Sequence, residues 1–321
     1  MDELTRRKLL VGAAAGAALA AGVPPAWRTL RQPRARVATL RALSYDADLS
    51  DLLARGIALF PETVRRFKGG RVVLKPNMVE WNAAHPINTD ARLIVSAAAA
   101  FRRLGAREVV VAEGPGHHRD TELLLELTGL SELLDDVPFV DLNVDRTGDT
   151  ALPLDVTGLG SLHFPGTVLG ADLLVSLPKL KTHHWVGVTL SLKNLFGTVP
   201  GAVYGWPKNV LHWAGLDRSI VDLQAALQPG FAIVDGIVGM EGDGPLMGDA
   251  KPAGVVIMGE QPTAVDATAA RLMGIDPSAV GYLAAMARLG GTVSAGRIED
   301  VGDRVPPDPF ALTDRWKHIR A

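Results

Sequence analysis

The sequence predicts an α/β fold, a mostly parallel sheet with helices on both faces. Three observations carry that reading. Short runs rich in Val, Ile and Leu end at proline, glycine or a charged residue. They take turns with longer segments whose apolar residues recur every three or four positions. The strand-like runs are continuously apolar rather than alternating, as in a sheet covered on both sides by helical crossovers. The pattern restarts near Gly170, so a single domain and two similar halves both stay open.

Taken in order, "DLSDLLARGIALFPETVRRF" has helical spacing and breaks at Pro61. "RVVLKPN" is a strand cut off by Pro76, and "NTDARLIVSAAAAFRRLG" a helix with Asn88 or Thr89 as cap and Gly105 as stop. "REVVVAEGPG" is a strand, "TELLLELTG" a helix, and "VPFVDLN" and "ADLLVSLP" are strands. "VLHWAGLDRSIVDLQAAL" reads as one helix closed by Pro229 and Gly230. "FAIVDG" and "AGVVIMGE" are strands, followed by helices in "QPTAVDATAARLMG" and "PSAVGYLAAMARLG".

Composition narrows the function. A net charge of −2 gives no general attraction to nucleic acid or to an anionic membrane, so any anion affinity is local. There is no cysteine, which removes disulfides, a thiolate nucleophile and a cysteine-ligated iron–sulfur cluster. A metal, if bound, has to use His, Asp, Glu or backbone oxygens.

The start, "MDELTRRKLLVGAAAGAALAAGVPPA", has a basic opening and then an apolar run from Leu9 to Val23. That run is shorter than the ~20 residues a membrane span needs and fits the core of a signal peptide. Thr5-Arg6-Arg7-Lys8-Leu9-Leu10 resembles a twin-arginine export motif, which makes the twin-arginine machinery a partner and the location periplasmic or otherwise extracytoplasmic. Ala18-Leu19-Ala20 is a candidate cleavage site; without cleavage the segment stays as a membrane anchor. The division that follows is a signal peptide over 1–30, an α/β domain over 36–305 and a C-terminal tail over 306–321.

In open α/β sheets ligands bind beyond the carboxyl ends of the strands. Those ends here carry Lys75 and Asn77; Glu113 with Gly114, Gly116, His117 and His118; Lys179, Lys181 and His183; Asp235; and Glu260. All five would meet along one edge. Extended backbone from Pro178 to His184 puts Lys179, Lys181 and His183 on one face. Three nitrogen groups with no nearby acid suit a phosphate or carboxylate. Lys193 and Asn194 follow in "VGVTLSLKN", which alternates like a strand, while Val188, Leu192, Leu195 and Phe196 equally fit a helix stopping at Gly197. "VDGIVGMEGDGPLMG" has the opposite sign: Asp235, Glu241 and Asp243 among glycines either hold a divalent cation or pair with the lysines. His212, like His117, His118 and His184, is a ligand or proton carrier or simply a structural residue.

The ordered segments "VVLKPNMV", "VVVAEGPG", "ADLLVSLPKLKTHHWVGVTLSLKNLFGTVPG", "IVDGIVGMEGDGP" and "PTAVDATAARLMG" resemble the "domain of unknown function 362" family over about residues 37 to 300. The resemblance implies an α/β fold and places Lys75, Asn77, Glu113, Lys179, Lys181, His183, Lys193, Asn194, Asp235, Glu241 and Asp266 at motif positions, without giving them roles. Many members carry a ferredoxin-type cluster; this chain lacks the cysteines for it. "GPGHHRDTELLLELTG" also looks like the Gly-x-His-Arg segment of nickel-pincer lactate racemases, with Asp120 where those tend to have proline.

The expectation is therefore an exported enzyme acting on an anionic small molecule. Lys75, Asn77, Lys179, Lys193 and Asn194 would bind, His183, Glu113 and Lys181 would do chemistry, and Asp235 and Glu241 would hold any divalent metal. The alternatives are a periplasmic binding or metal-handling protein with the same pocket, and a scaffold whose charged strand ends pair with each other.

Overall fold

The computed structural model describes residues 35–116 and 120–321. The signal segment and the His117–His118 pair lie outside the described residues. Within them the strands run, in chain order, β1 (Ala35–Arg41), β2 (Arg71–Pro76), β3 (Glu108–Glu113), β4 (Phe139–Asp141), β5 (Thr147–Ala151), β6 (Ser161–Pro165), β7 (Leu173–Leu177), β8 (Lys179–His183), β9 (Gly187–Thr189), β10 (Phe231–Glu241), β11 (Asp249–Gly259) and β12 (Ile298–Asp300). Ten of these form one sheet in the order β12-β1-β11-β10-β7-β2-β3-β4, with β8 beside the later half of β10 and β9 paired to β8. β5 and β6 make a separate antiparallel pair.

Most pairings are parallel: β2 with β3 and β7, β3 with β4, β10 with β7 and β8, and β1 with β12. The antiparallel exceptions centre on β11, which pairs that way with both β1 and β10, and on the β8–β9 turn. Strands from before and after Gly170 thus share a single sheet.

The continuous apolar strands are explained by two cores. Val73, Val110, Leu174, Ala232, Val234 and Ile257 enter one; Val72, Leu74, Val109, Val111, Val175, Ile233 and Met258 enter the other. Neighbouring side chains alternate between the faces, so both need apolar residues and no polar stripe remains. The second core is roofed by α1 (Leu49–Ala58), α2 (Pro61–Phe67) and α3 (Ala91–Arg103). α4 (Thr121–Leu127) starts at Asp120, whose carboxylate accepts from Leu123 N. After the short α5 (Ser191–Asn194), the first core is covered by α6 (Leu216–Leu227), α7 (Pro262–Leu272) and α8 (Gly281–Arg288). Each fully buried Leu, Ile or Val side chain is worth about 1.5–3 kcal/mol, so this double cover stabilises the sheet.

Several boundaries differ from the sequence reading for identifiable reasons. Asp90, not Asn88 or Thr89, caps α3: its carboxylate accepts from Arg92 N at 2.9 Å. Asn88 and Thr89 instead tie the preceding loop down, Asn88 accepting from Val79 N and Thr89 bridging Asn77 N to the Leu177 carbonyl. The segment 210–227 is two helices, because Gly215 at φ 97° breaks it between Asn209–Trp213 and α6. The 186–196 ambiguity resolves as both: β9 first, then α5. β10 continues through the glycines to Glu241, with a bulge between Gly236 and Val238, so this segment is mostly strand rather than loop. Residues 306–321 pack onto the domain through the buried Phe310 and Ile319 and a bridge between Ile275 and Arg320. No helix among the described residues is long and apolar enough to cross a membrane.

Candidate functional site

The sheet brings the carboxyl ends of β2, β3 and β7 together, and β8, β9 and α5 fold over that edge. Between them lies a cavity of about 200 Å³. A cavity of roughly 150 Å³ accommodates benzene, so this one suits a molecule on the order of ten heavy atoms. Its walls include Lys75, Asn77, Glu113, Lys181, His183, Lys193 and Asn194, seven of the residues singled out from sequence.

The floor is an ion pair. Lys75 Nζ donates to Glu113 Oε2 at 2.6 Å, with neither side chain exposed. Lys75 also donates to the Pro76 carbonyl and to Asn194 Oδ1. Glu113 accepts from Met78 N at 3.1 Å and from Gly114 N at 2.8 Å. A buried pair is tolerated only when its remaining hydrogen bonds are met in this way. Asn194 completes the corner by donating to the Lys75 carbonyl and to Ser176 Oγ. Gly197 lies so close that a Cβ there would overlap both the Glu113 carboxylate and the Lys75 side chain.

Lys181 is fully buried two residues along β8 from Lys179, yet meets no carboxylate among the described residues. Its amine donates only to the carbonyls of Ile87 at 2.8 Å and Pro245 at 3.3 Å. Burial, then repulsion from Lys193 and Lys179, drives its pKa well below the usual lysine value. Lys193, partly exposed at its surface, is lowered to about 7 by desolvation of its amine and by Lys75. Lys208, which sequence reasoning missed, is buried and donates to the carbonyls of Gly114, Phe196 and Gly197 at 2.7, 3.4 and 3.2 Å. Burial lowers it to about 7 as well. A lysine after a Trp-Pro pair carries no periodic signal, and only the tertiary fold brings it here.

His183 is buried and its pKa is held well below the usual value by burial and by the surrounding lysines. Its Nδ1 accepts from Trp185 N at 3.1 Å, which assigns the ring proton to Nε2. In this tautomer His183 offers a donor and does not serve as a base. Glu113 has its carboxylate bound by three donors, Lys75 Nζ, Met78 N and Gly114 N. Two further atoms lack partners: Asn77 Oδ1 and Thr189 Oγ1 are buried, unbonded, and belong to residues lining the cavity. Buried polar atoms are nearly always hydrogen-bonded, so these two mark places for a ligand or water. Among the described residues four lysines and one acid line the cavity, and that acid is already paired.

Not every residue on the sequence list belongs here. Lys179 points to Asp235, donating to its Oδ2 at 2.7 Å, and both are buried. Asp235 also accepts from Tyr45 Oη at 2.7 Å and Asp90 N at 3.0 Å. Burial and this carboxylate push the Tyr45 hydroxyl far above its usual pKa. With its oxygens so occupied, Asp235 does not fit a metal ligand. Glu241 lies six residues further along the strand, roughly 20 Å at ~3.3 Å per residue, and accepts from Ala311 N. Asp235 and Glu241 therefore form no joint metal site, and no group of three or more His, Asp or Glu among the described residues does. Glu260 sits at the opposite edge, because β11 runs antiparallel and pairs its Gly259 end with the start of β10; its carboxylate accepts from Thr63. Asp266 holds the site from behind, accepting from Ser191 N at 2.8 Å, Leu192 N at 3.0 Å and the Ser191 hydroxyl. It thereby caps α5, the helix presenting Lys193 and Asn194.

The sequence profile described as "Domain of unknown function (DUF362)" matches residues 72–271. The thylakoid-associated protein sll1697 of Synechocystis sp. is 29% identical over 232 residues, covering 69% of this chain and 68% of its own length. Among solved structures, the lactate racemase apoprotein of Thermoanaerobacterium thermosaccharolyticum aligns with a TM-score of 0.46 and 14% identity. That alignment covers 75% of this chain and 57% of the racemase. A Thermotoga maritima protein aligns at 0.36 with 12% identity, over 70% of this chain and 58% of its own. The chain thus spans under two thirds of either solved protein.

Proposed function

The chain belongs to the DUF362 family, and on that premise we propose that it is an exported enzyme whose cavity binds a small anionic molecule, a carboxylate or a phosphate. One observation carries the reading: among the described residues Lys181 is a fully buried amine with carbonyl partners only, in a cavity whose single acid is already paired. An amine in that setting gains most from an anion. Desolvation no longer opposes its charged form once a counter-charge enters, and hydrogen bonds to charged groups contribute about 1.5–3 kcal/mol each. Lys193 and the His183 Nε2–H add donors, Lys208 adds positive charge from its carbonyl-bound amine, and Asn77 Oδ1 and the Thr189 hydroxyl supply an acceptor and a two-way partner. Export rests on the Arg6-Arg7 motif and the apolar run that follows it.

A second reading, a binding protein without turnover, is favoured by the occupation of both sequence-assigned proton carriers. Glu113 is fixed by Lys75 and two backbone amides, and His183 Nδ1 by Trp185 N.

Thermal melting of the full chain with phosphate, acetate or lactate tests the anion site. A ligand at about one hundred times its Kd stabilises by about 2.7 kcal/mol. The expected result is a rise in Tm with at least one anion, clearly reduced in Lys181→Met. A Lys181→Met variant that still responds fully would overturn this assignment. Retained turnover or its absence in a screen of the binding anion then separates enzyme from binder.

A further inference from the structure

Lys193 differs from the other amines of the cavity. Lys75 is bound by Glu113, Lys208 by three carbonyls and Lys181 by two. Lys193 lines the cavity with no oxygen acceptor among the described residues; its Nζ lies over the Phe196 ring, 3.7 Å from the centroid. It is also presented rigidly. α5 is pinned by Asp266 at Ser191 and Leu192, and Asn194 anchors its end to Lys75 and Ser176. With a pKa of about 7, a large share of this amine is uncharged at neutral pH. A desolvated amine among other cations is a nucleophile toward carbonyl carbon. The other lining groups are those an anion would use, and Thr189 Oγ1 and Asn77 Oδ1 remain free for a hydroxyl.

We propose that Lys193 forms an imine with a small oxo acid, a molecule bearing a carbonyl beside an anionic group held by Lys181 and the Nε2–H of His183. This rests on the anion-binding reading above. The Nζ lone pair forms the N–C bond while the C=O π pair moves to oxygen, which takes up one of the amine's protons. The resulting hydroxyl leaves as water with the second amine proton transferred to it, and a C=N bond remains. The step needs no oxidant, reductant or co-reactant. It also supplies an electron sink next to the substrate's α-carbon in a cavity whose candidate bases are occupied.

The test is reductive trapping of the full chain with pyruvate and cyanoborohydride, read by intact mass and peptide mapping, beside thermal melts with pyruvate, lactate and phosphate. We expect one reduced three-carbon adduct per chain, on Lys193. The free-amine fraction favours it over surface lysines on the order of a thousandfold at neutral pH. The adduct should vanish in Lys193→Arg and be slowed by phosphate. Its rate should rise with pH through about 7 or somewhat above and level off before the ordinary lysine value of 10.5. Anions that raise Tm with no adduct at Lys193 would overturn the covalent step and leave the anion site standing. No adduct and no Tm response would overturn both. Adducts spread over surface lysines and persisting in Lys193→Arg would also overturn it. Should Lys193→Arg fail to fold, Lys193→Met serves the same comparison, and mapping on the unmodified sequence remains decisive.

Discussion

Lys179 Nζ lies 2.7 Å from Asp235 Oδ2 with both side chains buried, whereas Lys181, two residues on in the same strand, reaches only carbonyl oxygens among the described residues. One buried lysine is a fixed half of an ion pair and its neighbour is open to an incoming charge. Lys179→Met should therefore destabilise the fold by about 3–5 kcal/mol, by leaving Asp235 buried and unpaired. Anion affinity of the folded fraction should stay nearly unchanged. Denaturant unfolding and calorimetric titration measure the two separately; a large loss of affinity with intact stability would place Lys179 back in the binding site.

Lys181→Met should do the reverse. Removing a buried amine without a counter-charge should leave stability unchanged or higher. It should weaken binding about 10- to 100-fold, the equivalent of about one charged hydrogen bond. The same two measurements decide it.

Anion affinity should fall as pH rises through about 7, where Lys193 and Lys208 lose their protons. The sign follows from linkage. The anion favours the ammonium forms, so binding takes up protons, and log Kd should worsen by up to about one per pH unit for each amine involved. Titrations in buffers of different ionisation enthalpy would detect the uptake. A flat profile between pH 6 and about 9 would remove both amines from the binding set.

Asp266 gives an opposite lever on stability. Burial raises its pKa from 3.8 to about 7. A raised carboxyl contributes stability fully below its unfolded pKa and loses it as pH climbs through the folded value. The wild-type chain should thus lose on the order of a few kcal/mol between about pH 4 and 7 from this group. Asp266→Asn should flatten that slope in denaturant titrations while weakening the cap on Ser191 and Leu192.

Thr189→Val tests the unpartnered hydroxyl. A buried hydroxyl with no hydrogen bond is unfavourable, so the substitution should be neutral or stabilising by up to about 1 kcal/mol. If the ligand uses that hydroxyl, affinity should drop about tenfold. Paired melting and titration data show whether the two effects separate.

Much of this architecture is legible in the linear sequence. Lys75, Asn77, Glu113, Lys181 and His183 follow apolar runs, and in a parallel sheet the residue after such a run emerges at the ligand edge. The rule fails at Glu260, because hydropathy does not encode strand direction and β11 runs the other way. It leaves Asp235 with two roles, cation ligand or partner of the lysines, and only the register that places Asp235 opposite Lys179 selects the pairing. Periodicity left 186–196 open because the segment changes from strand to helix within one short stretch. Lys208 was invisible, since its role depends on carbonyls of Gly114, Phe196 and Gly197 distant or irregular in sequence.

The crowded corner around Gly197 bears on how the family can change over time. The Lys75–Glu113 pair fills the space a side chain at 197 would need. Three chain segments, the ends of β2 and β3 and the turn after α5, are therefore locked into one inherited unit. A substitution in any of them alone breaks contact in the other two, so variation at positions 75, 113 and 197 should arise jointly or not at all. Homologues that replace this glycine are the ones in which the acid and the lysine should also have been exchanged, and comparing such lineages would read the pocket's floor as a single heritable character.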